Sequence, residues 1–527
     1  MKSIFEKHKL VKVFALFSLL TFGCSQDFLE YDQRGVQTKD SFYKTEDQAK
    51  QALMAVLDQW QGGMGFNFFY NNVGLSDEVY AGGGSRGDNS GILEELNEYR
   101  FTPTTSAIRS YYSWYFYIIN RANLVIDNVA TDSTNKTIIV AMAKALRGTA
   151  YFYLVNLWGD VPLVLHELSA SESSATRTPK ADVYTQIEKD FTEAIAVLPV
   201  RSAMPATYKQ LICKGTAQAM LGKAYLYQKK YAEAATTFQS IIDSNEYSLF
   251  PDYSKTWRKD SEFGVESLWE ISFITNMGYA FSGSESWFAP MWAPRPEYLP
   301  YGVYGKLGLF SYGWGFLNPH KELYDAYTNA GDVVRQKTNI IGPDELEALG
   351  GKYLNPGRTA VPYGSDGYIR LKFLAYLTEG DGANDFAKMA NCGTNYRMIR
   401  YSDVLLMAAE AYNRKSTPDD AKARTYANLV RARVSLPALT SSGNDLFAAI
   451  KLERKLELAF EGHRYFDLQR WGDAYEALKN QGKSVPDGAG GFISNPTAGY
   501  KQGKNELLPI PEYEKTVNVA ITQNPGY

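Results

Sequence analysis

The stretch "RKLELAFEGHRYFDLQRWG" (454–472) crowds carboxylates, guanidiniums, aromatic rings and a histidine together, the raw materials of acid–base chemistry. His463 is a general base if a nucleophile stands within hydrogen-bond reach, and Glu453, Glu457 and Glu461 offer an acid and a base. Their spacing argues against both roles. Carboxylates four apart on one helix point the same way and do not flank a bond held between them. The chain has 4 histidines, His8, His166, His320 and His463, and none stands in an H-E-x-x-H spacing. No catalytic residue and no metal ligand is expected. Leu446, Ile450, Leu452, Leu456 and Phe460 instead recur at helical spacing and predict a core-facing helix. Arg464 lies three after Glu461 and Arg470 three after Asp467, positions from which opposite charges pair along a helix. The segment reads as scaffold.

The elements around it are helix pairs. In "AMLGKAYLYQKKYAEAATTFQSIID" (219–243), Leu221, Gly222, Tyr225, Ala234 and Phe238 fall at tetratricopeptide spacing. Small residues let two helices approach, Tyr225 and Phe238 fill the space between them, and stacked pairs bury each other's faces. Weaker copies include Gly148 and Tyr151 in "AKALRGTAYFYLVNLWG", with "DVYTQIEKDFTEAIAVLP" as partner, and Ala409, Tyr412 and Ala421 further on. Helical patterns also cover roughly 44–60 and 107–128. The pairs are interrupted by a segment from about 245 to 395, rich in Gly, Pro and aromatics, and by the loop 62–91. Long irregular segments in compact proteins usually carry function.

Length and composition suit a large soluble unit: 527 residues, 45% apolar, with 38 Tyr and 9 Trp. A net charge of −3 excludes a nucleic-acid surface, which needs dense basic charge. The basic "MKSIFEKHKLVK" and apolar "VFALFSLLTFG" form a secretory signal, the apolar run being too short to span a bilayer. The run ends at Cys24, which resembles the lipidated cysteine of a bacterial lipobox, with Thr21 and Phe22 in place of its usual Leu and small residue. Cys213 and Cys392 are too few for a disulfide framework, and Cys213 reads as a small buried apolar residue.

Several segments together resemble the SusD/RagB family: "ERKLELAFEGHRYFDLQRWG", "NLWGDVPLV" (156–164), "DFLEYDQRG" after Cys24, and the ending "LLPIPEYEKTVNVAITQNPGY". The resemblance spans essentially the whole chain. It implies a mainly α fold of about four interrupted tetratricopeptide-like helix pairs, with a large irregular insertion carrying the ligand site. The corresponding organisation is a signal peptide at 1–23, a lipid-anchor linker at 24–40 and a single unit at 41–527. Within that unit the scaffold covers about 44–243 and 396–478, the insertion 245–395 and a tail 479–527. The resemblance further implies a binder rather than an enzyme, anchored through Cys24 to the outer membrane and facing outward. Its expected partners are oligo- or polysaccharide and a SusC-like TonB-dependent barrel; the lipid anchor is its only membrane contact. No cofactor is expected, and the sequence leaves open whether a calcium ion supports a loop. A peptide- or protein-capturing member of the family is the alternative, because a scaffold does not encode ligand chemistry; a glycoside hydrolase is a remoter third reading.

A sugar ring presents a face of C–H groups, which an aromatic face matches, and an edge of hydroxyls, which polar side chains match. Between Asn276 and His320, rings separated by Gly and Pro supply candidates, of which at least half should be core. Trp287, Trp292 and Trp314 lead, with Tyr312 behind them. A ring covering about 60 Å² of sugar contributes about 1.5 kcal/mol. Two or three rings then imply roughly micromolar to millimolar affinity after ordering costs. By family analogy the loop "GGGSRGDNSG" joins this region, with Arg86, Asp88 and Asn89 reaching hydroxyls.

Overall fold

A computed structural model describes residues 41–168, 175–274, 286, 288–295, 301–309, 313–350, 362–374, 376 and 393–527. Cys24, Trp287, Tyr312 and Cys392 lie outside the described residues.

The helices of the scaffold are α1 (Glu46–Gly63), α2 (Ser106–Asn128), α3 (Thr134–Trp158), α4 (Lys180–Val197), α5 (Lys214–Tyr227), α6 (Tyr231–Asp243), α7 (Tyr401–Arg414), α8 (Asp420–Arg433), α9 (Gly443–Glu457) and α10 (Arg464–Trp471). They pack as neighbours α1 with α2, α3 with α4, α5 with α6 and α7 with α8. The interruption leaves the array continuous in space, because α6 packs directly on α7. The fold is mainly helical, as the repeat spacing predicts.

Local signals explain the boundaries. Thr45 caps α1 by accepting from the Gln48 amide while the Gln48 side chain returns to the Thr45 amide, a capping box. Within α5, Gly222 is required: a Cβ there would sit 2.6 Å from the Phe238 ring of α6. Phe238 is fully buried and Tyr225 packs against the core from its edge. α3 is long and apolar enough to cross a membrane, but 94% of that stretch is buried inside the protein, as a central core helix would be. Cys213 is buried and unpaired, its Sγ 3.1 Å from the Tyr247 hydroxyl.

The 454–472 stretch breaks after α9. The chain turns through Phe460 (φ 65°) and Gly462 (φ 72°) before α10 begins. That turn corrects two expectations. Leu452 is 43% exposed, because the buried stripe of α9 runs through Leu446, Ile450, Glu453, Leu456 and Glu457. Arg464 does not pair with Glu461, because helical spacing does not hold across the turn. It binds Asp77 instead, through Nε at 2.8 Å and Nη2 at 2.9 Å. The Arg470–Asp467 pair forms as expected, at 2.8 Å.

Candidate functional site

Two irregular segments meet at a short antiparallel ribbon, β1 (Val79–Gly82) against β2 (Phe316–Pro319), in register Val79↔Pro319, Tyr80↔Asn318 and Gly82↔Phe316. Gly82 has φ 70°, and a Cβ there would lie 2.4 Å from the Gly315 carbonyl oxygen, so no other residue fits. Beyond it the Gly83 amide donates to the Gly315 carbonyl at 2.7 Å. The second segment is laced to itself: the amides of Gly313, Trp314 and Gly315 donate to the carbonyls of Pro294, Pro290 and Ala293 at 2.8–2.9 Å.

The loop leaving β1 is held by its own side chains. Asp88 Oδ2 accepts from the Gly84 amide at 2.6 Å and lies 3.9 Å from Arg295 Nη1 on the second segment. Glu94 Oε1 accepts from the Gly87 amide at 2.8 Å, and burial pushes the Glu94 carboxyl up. Left-handed Gly87, Asn89, Ser90 and Gly91 fold the tip tightly. Asn89 is exposed and Asp88 half-buried.

The predicted ring residues divide. Trp292 is corrected: it is 2% exposed, packed on Phe69 and Phe288, with the Arg370 guanidinium carbon 4.0 Å from its ring centre. It sits on a short helix, Phe288–Trp292, that turns its apolar face into the core. Phe288, Tyr304 and Phe316 are also buried. Trp314 is half-buried and packs against the core, one residue before the Gly315 carbonyl that receives the Gly83 amide. Arg86 stands on the Asp88 loop, but its guanidinium is committed. It makes two 2.9 Å bonds to the buried Glu98 carboxylate and one of 3.2 Å to the Tyr363 hydroxyl. The hydrogen bonds to Glu98 hold its pKa above the ordinary arginine value. It braces the loop.

The base of the ribbon is clamped by the 454–472 stretch, which sequence reasoning missed because the partners are remote in the chain. Asp77 takes Arg464 and, at 3.4 Å, Lys455. Burial alone would raise the Asp77 pKa, yet these two cations hold it well below the usual carboxylate range. Next to it, burial and the Asp77 charge push Glu78 up to about 7, although the Phe460 amide donates to its Oε1 at 3.1 Å.

Among the described residues, one trio could hold a metal: His320, Glu322 and Asp366, whose ligand atoms all lie within 4.8 Å of one another. Gln481 Nε2 donates to the Val79 carbonyl at 3.0 Å and also faces His320 Nε2 at 3.3 Å. His320 Nδ1 lies 3.5 Å from Glu322.

Family models match the chain at both ends: the SusD family over residues 355–527, and "Starch-binding associating with outer membrane" over residues 51–226. A solved laminarin-binding SusD-like protein is 33% identical, with a TM-score of 0.77, over 92% of this chain and 100% of that one. SusD-like protein P2 of Formosa agariphila is 27% identical over 99% of this chain and 100% of its own length. Surface glycan-binding protein A from Bacteroides thetaiotaomicron, solved with laminarihexaose, shares the fold at a TM-score of 0.74 and 23% identity over 91% of this chain and 99% of that one. The helix-pair scaffold, the clamped ribbon and these likenesses over nearly the full length agree: the chain belongs to the SusD/RagB family.

Proposed function

We propose that this protein is a surface lipoprotein that binds laminarin and passes it to a SusC-like TonB-dependent barrel in the outer membrane. The carrying observation is the lacing of two segments far apart in the chain. The Asp88–Asn89 loop and the Trp314 segment are fixed to each other through Gly83–Gly315 and Arg295–Asp88. The segment that carries Trp314 and the loop that carries Asp88 and Asn89 are thereby held together, which lowers the ordering cost of binding a flexible polymer. The choice of laminarin rests on the 33% identical relative, which is described as laminarin-binding. Anchoring through Cys24, outward orientation and delivery to a barrel follow from family membership and the signal-like N-terminus.

On this reading the protein holds its ligand without cleaving it. Electrophoresis in gels containing laminarin tests the function: retardation relative to a gel without polysaccharide is expected. Unretarded migration in laminarin would reject it, and release of reducing sugar from laminarin by the purified protein would reject the non-enzymatic part.

A further inference from the structure

We infer that the chain grips its polymer at a second place: a cleft below a C-terminal hairpin, where a sugar ring lies against Phe492 with Asp366 and Glu322 accepting its hydroxyls. The inference rests on the reading that the ligand is laminarin.

The hairpin pairs β3 (Ser484–Pro486) with β4 (Phe492–Ser494) in register Pro486↔Phe492. Its inner residue Val485 packs with Tyr80 and Tyr363, and Ile493 covers them. The adjacent Phe492 is left 67% exposed, more than any other described Phe, Tyr or Trp. A free apolar ring of this kind is a cost in water unless something lies on it. The hairpin is also rigid at its tip: Asp487 Oδ1 accepts from the amides of Ala489 and Gly491 at 2.7 and 2.9 Å.

Beneath Phe492 lies a hollow of about 450 Å³, lined also by Tyr368, Asp366 and Glu322. A second, of about 560 Å³, adjoins it and shares Tyr80 and Glu322 in its lining. Each lies within the range of small-ligand sites, roughly 300–1,000 Å³. The acceptors are prepositioned. Asp366 receives the Tyr80 hydroxyl and the Lys321 amide, each at 3.3 Å, long bonds that orient the carboxylate and leave it accepting capacity. The Tyr80 ring is itself held by stacking on His320, with centroids 3.8 Å apart. His320 Nδ1 lies 3.5 Å from Glu322, and hydrogen bonding to His320 holds that carboxyl down to about 2, so it is an ionised acceptor throughout the working range. An exposed ring and carboxylates lining one hollow match a neutral sugar, face and edge together.

A buried tyrosine ties the cleft to the first surface. Tyr363 takes the Arg86 hydrogen bond on one side and packs on Tyr80 and Val485 on the other. Only Ala81 and Gly82 lie between Tyr80 and Gly83, where the Asp88 loop begins, about 10 Å of strand. One polymer chain bridging both places would bind its second contact intramolecularly, so affinity should grow with chain length.

Isothermal titration of the mature chain with laminarin and with laminaritriose tests this, using Phe492→Ala and Asp366→Asn. Expected is a fall of about tenfold in laminarin affinity in each variant, with laminaritriose affinity changed less than about twofold. Wild-type binding of laminarin with no change in either variant would overturn the second grip and leave the first reading standing. No wild-type binding of laminarin would remove that reading and this inference with it. A thermal shift with calcium or zinc chloride, lost in Asp366→Asn while laminarin binding is unaltered, would assign the cleft to a cation instead.

Discussion

Arg464 reaches Asp77 across 387 residues of chain, Nε to Oδ1 at 2.8 Å and Nη2 to Oδ2 at 2.9 Å. This bidentate pair ties the start of α10 to the residues that lead into β1, and so to the loop that carries Asp88 and Asn89. Removing Arg464 leaves a mostly buried carboxylate with Lys455 alone. Arg464→Ala should lower stability by about 2–4 kcal/mol in urea denaturation. A loss below about 0.5 kcal/mol would show that the clamp contributes nothing.

Glu457 is fully buried among Arg335, Arg400 and Arg433, with Nη1 of Arg335 and of Arg400 at 3.0 and 2.9 Å. Burial alone would raise its pKa, but the three guanidiniums hold it well below the usual range. Glu457→Ala strands three charges at once and should cost about 3–5 kcal/mol, or prevent soluble expression. Equal stability of Glu457→Ala and wild type in denaturant would contradict the network.

Two tryptophans of the same insertion should behave in opposite ways. Trp292→Ala empties a packed core site and should destabilise by about 3–5 kcal/mol, read as a large drop in melting temperature. Trp314→Ala should leave the melting temperature nearly unchanged and weaken retardation in laminarin gels by about tenfold, the loss of one ring contact. Trp314→Ala that melts early with unaltered laminarin binding would place Trp314 in the core instead.

His463 is buried beside Lys223, whose Nζ lies 3.4 Å from its Nδ1. Burial, followed by the Lys223 charge, lowers its pKa to about 3. The folded chain thus keeps the imidazole neutral where the unfolded chain, titrating near 6.5, takes up a proton. The stability this contributes is present above pH about 6.5 and is lost as pH falls toward 3, at up to about 1.4 kcal/mol per pH unit. His463→Gln keeps an acceptor for Lys223 and removes that proton, so its stability between pH 6 and 4 should fall less steeply than wild type (about 1 kcal/mol less per unit). Parallel pH profiles would refute the assignment.

The helix pairs were legible in the sequence because their cause is local. Periodicity puts an apolar stripe on each helix, Gly222 admits Phe238, and Arg470 finds Asp467 one turn away. Tertiary structure decided what local spacing cannot encode. Whether Trp292 faces water depends on what packs over the Phe288–Trp292 helix, namely Phe69 and Arg370 from distant segments. Whether Arg86 meets a ligand or a protein carboxylate depends on Glu98 and Tyr363 arriving beside it. Arg464 changed partner because Phe460 and Gly462 take positive φ and end the helical register that would have given it Glu461. The exposed Phe492 and the acids below it come from three separate segments, so no single stretch of sequence contains that cleft. Helices are built by neighbours along the chain, whereas surfaces that hold ligands are built by residues that only folding brings together.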